Sequence, residues 1–150
     1  MKLKRLKIEN IATYEYQEID FTSLRFPVFV TGRTGAGKTT LFVDAITAAL
    51  YGKAYNVGKQ GFYKELIMKG KRYGKIILQF SVGNRDYEVT RVFYRDSSKT
   101  PMVILRVMSG GGQHVGTYRK KEAEKLILGL VGADYNTLLN SAVVRQGDVH

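Results

Sequence analysis

The stretch from Phe26 to Gly52, FPVFVTGRTGAGKTTLFVDAITAALYG, constrains this chain more than any other. It reads as a short apolar strand (Pro27 to Thr31), a glycine-rich loop and a helix. Within it, Gly32-Arg33-Thr34-Gly35-Ala36-Gly37-Lys38-Thr39 fits G-x-x-x-x-G-K-[ST] without a mismatch. Glycines at these positions let successive backbone N–H groups turn toward phosphate oxygens, and a helix opening directly behind them adds its positive dipole end. Lys38 is placed to reach the β and γ phosphates, and the Thr39 hydroxyl can ligate magnesium. Bare glycine patterns of this kind arise by chance, but here the flanking strand and helix that the chemistry demands are both present. The helix carries Leu41, Phe42, Ala45, Ile46, Ala49 and Leu50 at a spacing that predicts one apolar face, and Gly52 ends it. The stretch predicts that the chain binds a nucleoside triphosphate.

A loop of this type serves kinases, GTPases, transporters and DNA machines alike, so the rest of the chain has to choose. At 150 residues it is one ordinary domain, short for a complete nucleotide-driven machine. Its 44% hydrophobic and 25% charged residues, with two prolines, are those of a globular protein. No apolar run approaches the ~20 residues of a membrane span, and MKLKRLKIEN lacks the apolar core of a signal peptide. The absence of cysteine and the presence of two histidines exclude disulfides and a protein zinc site. A cytoplasmic location away from membranes is the simplest expectation. The net charge of +11 points to a polyanion or to an acidic partner chain, and leaves both open.

Along the chain, KLKRLKIENI reads as a first strand with Leu3, Leu6 and Ile8 among four basic residues. Tyr16 to Phe21 alternates, with Ile19 and Phe21 inward, and predicts a second strand paired with the first. Lys53 to Tyr63 reads as a loop. KIILQFSVGNRDYEVTRVFYR predicts a hairpin turning at Gly83-Asn84, and Met102 to Met108 a further strand. KKEAEKLILGLV predicts a helix with Ala123, Leu126, Ile127, Leu130 and Val131 on one face. Asp134 can cap a short helix to about Ala142.

Hydrolysis ordinarily needs an acid at the end of a second apolar strand, to hold magnesium and position water. No such acid follows the loop. Asp86 and Glu88 fall inside the hairpin, and Asp148 follows Arg145-Gln146-Gly147 rather than an apolar run. Ser109 to Gln113, SGGGQ, resembles the signature of ATP-binding-cassette proteins, but it lies between strands and is read as a hairpin turn. Near the end, Gln146 follows the apolar pair Val143-Val144, 108 positions beyond Lys38. In cassette ATPases a glutamine in such a loop ligates magnesium, and the long gap fits a branch other than the transporters.

Taken together, LKIENIATYEYQEIDF, VTGRTGAGKTTLFVDAITAALYGKA and KKEAEKLILGLVGADYNTLLNSAVVRQGD resemble the SbcC and Rad-fifty DNA double-strand-break repair ATPases, relatives of the SMC proteins. The resemblance runs the whole length. It implies an α/β P-loop NTPase fold, the N-terminal lobe of an ABC-ATPase head, with a mixed central sheet and an antiparallel β layer. It implies that residues 1–150 are the N-terminal half of a head whose chain continues into a coiled coil and returns with signature and acid. It also implies that Gly32 and Thr34, Gly35, Ala36, Gly37, Lys38, Thr39 and Thr40 cradle the phosphates, that Thr39 and Gln146 bind magnesium, and that Ile67, Met68 and Lys69 lie near the adenine. Ala12 departs from the basic residue that many relatives carry after the first strand.

The expected function is therefore binding of Mg-ATP by one half of a DNA-repair ATPase head. Two heads close around two nucleotides, with the C-terminal half, double-stranded DNA and an SbcD-type nuclease as partners, at the nucleoid in a prokaryote. Catalytic residues are expected outside this chain, which alone should turn ATP over poorly. An SMC-like chromosome-organising ATPase without nuclease is the nearest alternative. A P-loop small-molecule kinase would need a lid and an acid that are not found. A pure DNA-binding module would rest on the basic runs Lys69 to Lys75 and Tyr118 to Lys125, and charge runs of this kind are more often solvated faces.

Overall fold

The computed structural model describes residues 1–22, 36–52 and 65–132, with side chains described from residue 42 onward in the middle segment. Strand β1 (Lys2–Ile11) leads into β2 (Tyr14–Asp20), followed by helix α1 (Ala36–Tyr51). Strands β3 (Tyr73–Val82), β4 (Arg85–Tyr94), β5 (Met102–Ser109) and β6 (His114–Arg119) lead into helix α2 (Lys120–Val131). The strands form one antiparallel sheet in the order β2-β1-β3-β4-β5-β6.

Alternation decides which way each strand faces. Leu6 and Ile8 of β1, Ile76, Leu78 and Phe80 of β3, Val89 and Phe93 of β4, and Val103, Leu105 and Val107 of β5 are buried on the inner face. Their register is continuous, Leu6 against Leu78, Leu78 against Val89, and Val89 against Leu105. A bulge between Leu3 and Arg5 resets the alternation so that Leu3 also packs on the core. The expected hairpin is present, with Val82 paired to Arg85 across Gly83-Asn84 and a positive φ of 62° at Gly83. Glycine first in a two-residue turn suits the right-handed twist of the strands. The second strand starts two residues earlier than its alternation indicated, because Tyr14 already pairs with Ile11. Phe21 has left the strand yet stays buried, its N–H bonded to the Lys4 carbonyl at 2.9 Å.

Helix α1 corrects a second expectation. Its described residues from Phe42 to Leu50 are buried on every side, including Asp44 and Thr47, rather than along one apolar face. The Thr47 hydroxyl is satisfied within the helix by donating to the Val43 carbonyl at 2.9 Å. Ala45, Ala48 and Ala49 are fully covered, which lets the helix lie close against β3, β4 and α2. A larger side chain at any of them would overpack the contact at a cost of about 1–3 kcal/mol. Helix α2 sits over β5, β6 and α1 through the narrower seam of Ala123 and Ile127. Leu126, expected on that seam, is 37% exposed, because it lies to one side of the line that Ala123 and Ile127 make.

Only antiparallel pairing is found among the described residues, and the β1–β2 pair belongs to the same sheet as the hairpin rather than to a separate layer. The expected strand Pro27 to Thr31, on which a mixed sheet depends, lies outside them, as do the loop Lys53 to Tyr63 and the helix from Asp134. No helix among the described residues is long and apolar enough to cross a membrane.

Candidate nucleotide site

The end of the glycine-rich motif opens a helix, as its chemistry requires. α1 begins at Ala36, so Ala36, Gly37, Lys38, Thr39 and Thr40 form its first turn. Nothing is described of the side chains there. Gly32, Thr34, Gly35 and Gln146 lie outside the described residues.

The far end of the same helix is fixed by a buried cation. Gly52, at φ 77°, closes α1 with its N–H on the Ala48 carbonyl at 2.8 Å. A Cβ at this glycine would come within 3.3 Å of Arg91 Nη1. Arg91 projects inward from β4 and is only 4% exposed. Its Nε donates to the Ala49 carbonyl at 2.6 Å and its Nη2 to the Leu50 carbonyl at 3.3 Å. Nη1 and Nη2 also grip Glu124 of α2, at 2.9 and 2.5 Å. One side chain thus caps the last carbonyls of α1 and joins them to α2. Sequence reasoning does not single it out, although the alternation Tyr87, Val89, Arg91, Phe93 puts an arginine in an inward slot.

Ile67, Met68 and Lys69 are brought against the turn that follows β1. Ile67 forms an isolated antiparallel bridge with Ile11. The Ala12 N–H bonds to the Leu66 carbonyl at 2.7 Å, and the Met68 N–H to the Asn10 carbonyl at 2.8 Å. Asn10 and Ala12 both adopt positive φ, 55° and 53°. Such conformations cost about 1 kcal/mol or more in a non-glycine residue and persist where surrounding bonds over-determine them. Gly74 is needed beneath this platform for another reason. A Cβ there would stand 2.8 Å from Ile11 Cδ1 and 3.2 Å from the Asn10 carbonyl oxygen. The Tyr73 hydroxyl donates to the Glu9 carboxylate, which raises the phenol above its ordinary pKa. Two segments more than fifty residues apart in sequence are therefore held as one surface, Asn10 to Ala12 beside Leu66 to Lys69.

Antiparallel order places β1's end, β3's start, β4's end and β6's end at one edge of the sheet. Both basic runs therefore share that edge with the platform. Lys69, Lys71 and Arg72 are exposed before β3, and Arg119, Lys120, Lys121 and Lys125 are exposed after β6 begins to give way to α2. Three strand spacings of about 4.8 Å put the two runs roughly 14 Å apart. None of these seven cations forms an ion pair among the described residues.

SGGGQ is a turn. The Ser109 N–H bonds to the Gln113 carbonyl and the Gly112 N–H to the Ser109 carbonyl, both at 2.8 Å, with Gly112 at φ 87°. No cluster of three or more carboxylates or histidines that could hold a metal occurs among the described residues.

A family described as "AAA domain" matches residues 5–142. A protein of Aquifex aeolicus named "Probable DNA double-strand break repair Rad50 ATPase" is 36% identical over 99% of this chain and 14% of its own length. A component of the nuclease SbcCD of Deinococcus radiodurans is 31% identical over 87% of this chain and 14% of its own length. "DNA double-strand break repair Rad50 ATPase" of Methanopyrus kandleri is 29% identical over 98% of this chain and 16% of its own. The chain thus spans 14% to 16% of the length of these relatives.

Proposed function

Because this chain belongs to the AAA-domain family, we propose that residues 1–150 are the N-terminal half of an ATPase head acting in DNA double-strand break repair. The observation that carries the reading is the motif from Gly32 to Thr39 running into the first turn of α1. Gly32, Thr34, Gly35 and Ala36 to Thr40 hold the nucleotide phosphates of ATP. Lys38 supplies charge, and Thr39 with Gln146 completes the shell of a magnesium ion. Magnesium, when bound, offsets charge on the β and γ phosphate oxygens. The platform of Ile67, Met68 and Lys69 beside Ala12 receives the adenine.

Hydrolysis then depends on a C-terminal half of the same head, and ATP binding closes two heads into a dimer. A nuclease of the SbcD type and duplex DNA are the partners, in the cytoplasm and at the nucleoid of a prokaryote. The names of the relatives support the repair role and the nuclease. The cations at one end of the strands, unpaired among the described residues, support the contact with DNA.

Lys38→Ala tests the carrying observation. The variant should keep the far-ultraviolet circular dichroism of the parent and lose measurable binding of a fluorescent ATP analogue. Equal affinity in the two proteins would sink the assignment.

A further inference from the structure

Arg95, just beyond the end of β4, directs its side-chain donors at backbone alone among the described residues. Its Nε donates to the Lys71 carbonyl at 2.9 Å, and its Nη2 to the carbonyls of Ile67 at 3.3 Å and Met68 at 3.1 Å. Its own N–H bonds to the Arg72 carbonyl at 2.9 Å. No carboxylate lies within ion-pair distance of it among the described residues. The segment it grips is a turn, closed by the Lys71 N–H on the Met68 carbonyl at 3.0 Å with Gly70 at φ 84°.

The opposite side of that turn is tied to the end of β1 through Asn10 and Ala12. Leu66 to Lys71 is therefore held from two sides, by backbone bonds on one and by one exposed guanidinium on the other. The backbone bonds fix where the segment meets β1. The guanidinium fixes the direction of its carbonyls and so the tilt of Ile67 and Met68. An arginine suits this task because its planar fork reaches several acceptors at once, which an ammonium does not.

We propose that Arg95 is a positioning residue for nucleobase binding, preorganising the Ile67 to Lys69 platform without touching the phosphates. This rests on the reading of that platform as the adenine side of the nucleotide site. Ordering of the segment is then complete before the ligand arrives, and affinity gains by the ordering cost that binding no longer carries. The effect is confined to ligands that carry a base.

The experiment compares ATP with inorganic tripolyphosphate on the 150-residue chain and its variants, by calorimetry, together with amide hydrogen exchange of the ligand-free protein. In Arg95→Ala, ATP should bind roughly fivefold to tenfold more weakly, the scale of a contact surface that must be ordered on binding. Tripolyphosphate should bind as in the parent, and exchange should quicken at Met68 and Lys71 while the β3–β4 amides stay protected. Arg95→Lys should recover part of the ATP affinity. Equal weakening of ATP and tripolyphosphate, or no weakening of ATP, overturns the proposal. ATP binding that survives Lys38→Ala overturns the nucleotide reading itself, and the exchange arm then decides separately whether Arg95 holds the turn.

Discussion

Arg91 offers a test of how the phosphate-loop helix is anchored, because its two sets of partners differ in exposure. The Arg91 side chain is 5% exposed, whereas the Glu124 side chain is 44% exposed. Arg91→Met keeps the apolar stem and removes the donors to the Ala49 and Leu50 carbonyls. Leaving a buried acceptor without a partner costs about 1–3 kcal/mol, and removing a desolvated cation returns part of that. A net loss of about 2–3 kcal/mol follows from two such carbonyls. Glu124→Gln leaves both carbonyl bonds intact, and water can reach the guanidinium where the carboxylate stood. Its cost should be about 0.5–1 kcal/mol, near that of an exposed ion pair. Urea unfolding followed by circular dichroism would read the difference as a midpoint lowered by about 1 M for Arg91→Met and by less than half of that for Glu124→Gln. In the double variant the glutamine should add almost nothing, since its partner is gone. A Glu124→Gln cost equal to that of Arg91→Met would refute the reasoning, because the ion pair rather than the helix carbonyls would then carry the anchorage.

Two further outcomes concern the reconstituted head, this chain with a C-terminal half. Gln146→Ala should lower turnover far more than ATP affinity, because the phosphate loop supplies most of the contacts; unchanged turnover in a steady-state assay would make Gln146 a surface residue. Duplex DNA binding should be insensitive to sequence, with log affinity falling against log salt by about 0.9 per neutralised phosphate. Replacing Lys120, Lys121 and Lys125 with glutamine should flatten that slope and leave ATP affinity unchanged, and a slope indifferent to those three would assign the charge to another face.

Periodicity carried the local elements well. The hairpin at Gly83-Asn84, the strand from Met102, the first helix ending at Gly52 and the helix from Lys120 to Val131 all stand where spacing and turn residues put them. What periodicity does not encode is the neighbour. β1 runs between β2 and β3, so its end can meet both Tyr14 and Ile67, and nothing in KIENIA announces that second meeting. The left-handed φ of Asn10 and Ala12 follows from those non-local bonds rather than from residue type alone. Burial on every side from Phe42 to Leu50 of α1 escaped for the same reason. Thr47 and Asp44 look like the polar side of an amphipathic helix, and only the packing around them shows otherwise. Arg95 left no trace in the sequence at all, since an exposed arginine after a strand is unremarked until its three carbonyls are seen.

The carboxylates of the sheet bear on where hydrolytic chemistry would come from. Asp86 pairs with Lys4 at 3.3 Å, and Glu88 takes Gln79 at 2.8 Å and Arg106 at 3.4 Å. Glu18 pairs with Arg5 at 3.3 Å. Asp20 accepts from the side chain and backbone of Thr22, which lowers its pKa, and also faces Arg5. Glu9 receives the Tyr73 hydroxyl. Glu88, Glu18 and Glu9 join neighbouring strands, Asp86 reaches across β3 to β1, and Asp20 closes a turn, so each is spent on holding the sheet together. An acid that must hold magnesium and turn a water toward a γ-phosphate needs the opposite, a free oxygen directed into the site. Asp86, Glu88, Glu18, Asp20 and Glu9 are thus committed to holding the sheet and the turn after β2. In the head proposed above, an acid for hydrolysis would therefore be sought outside these five.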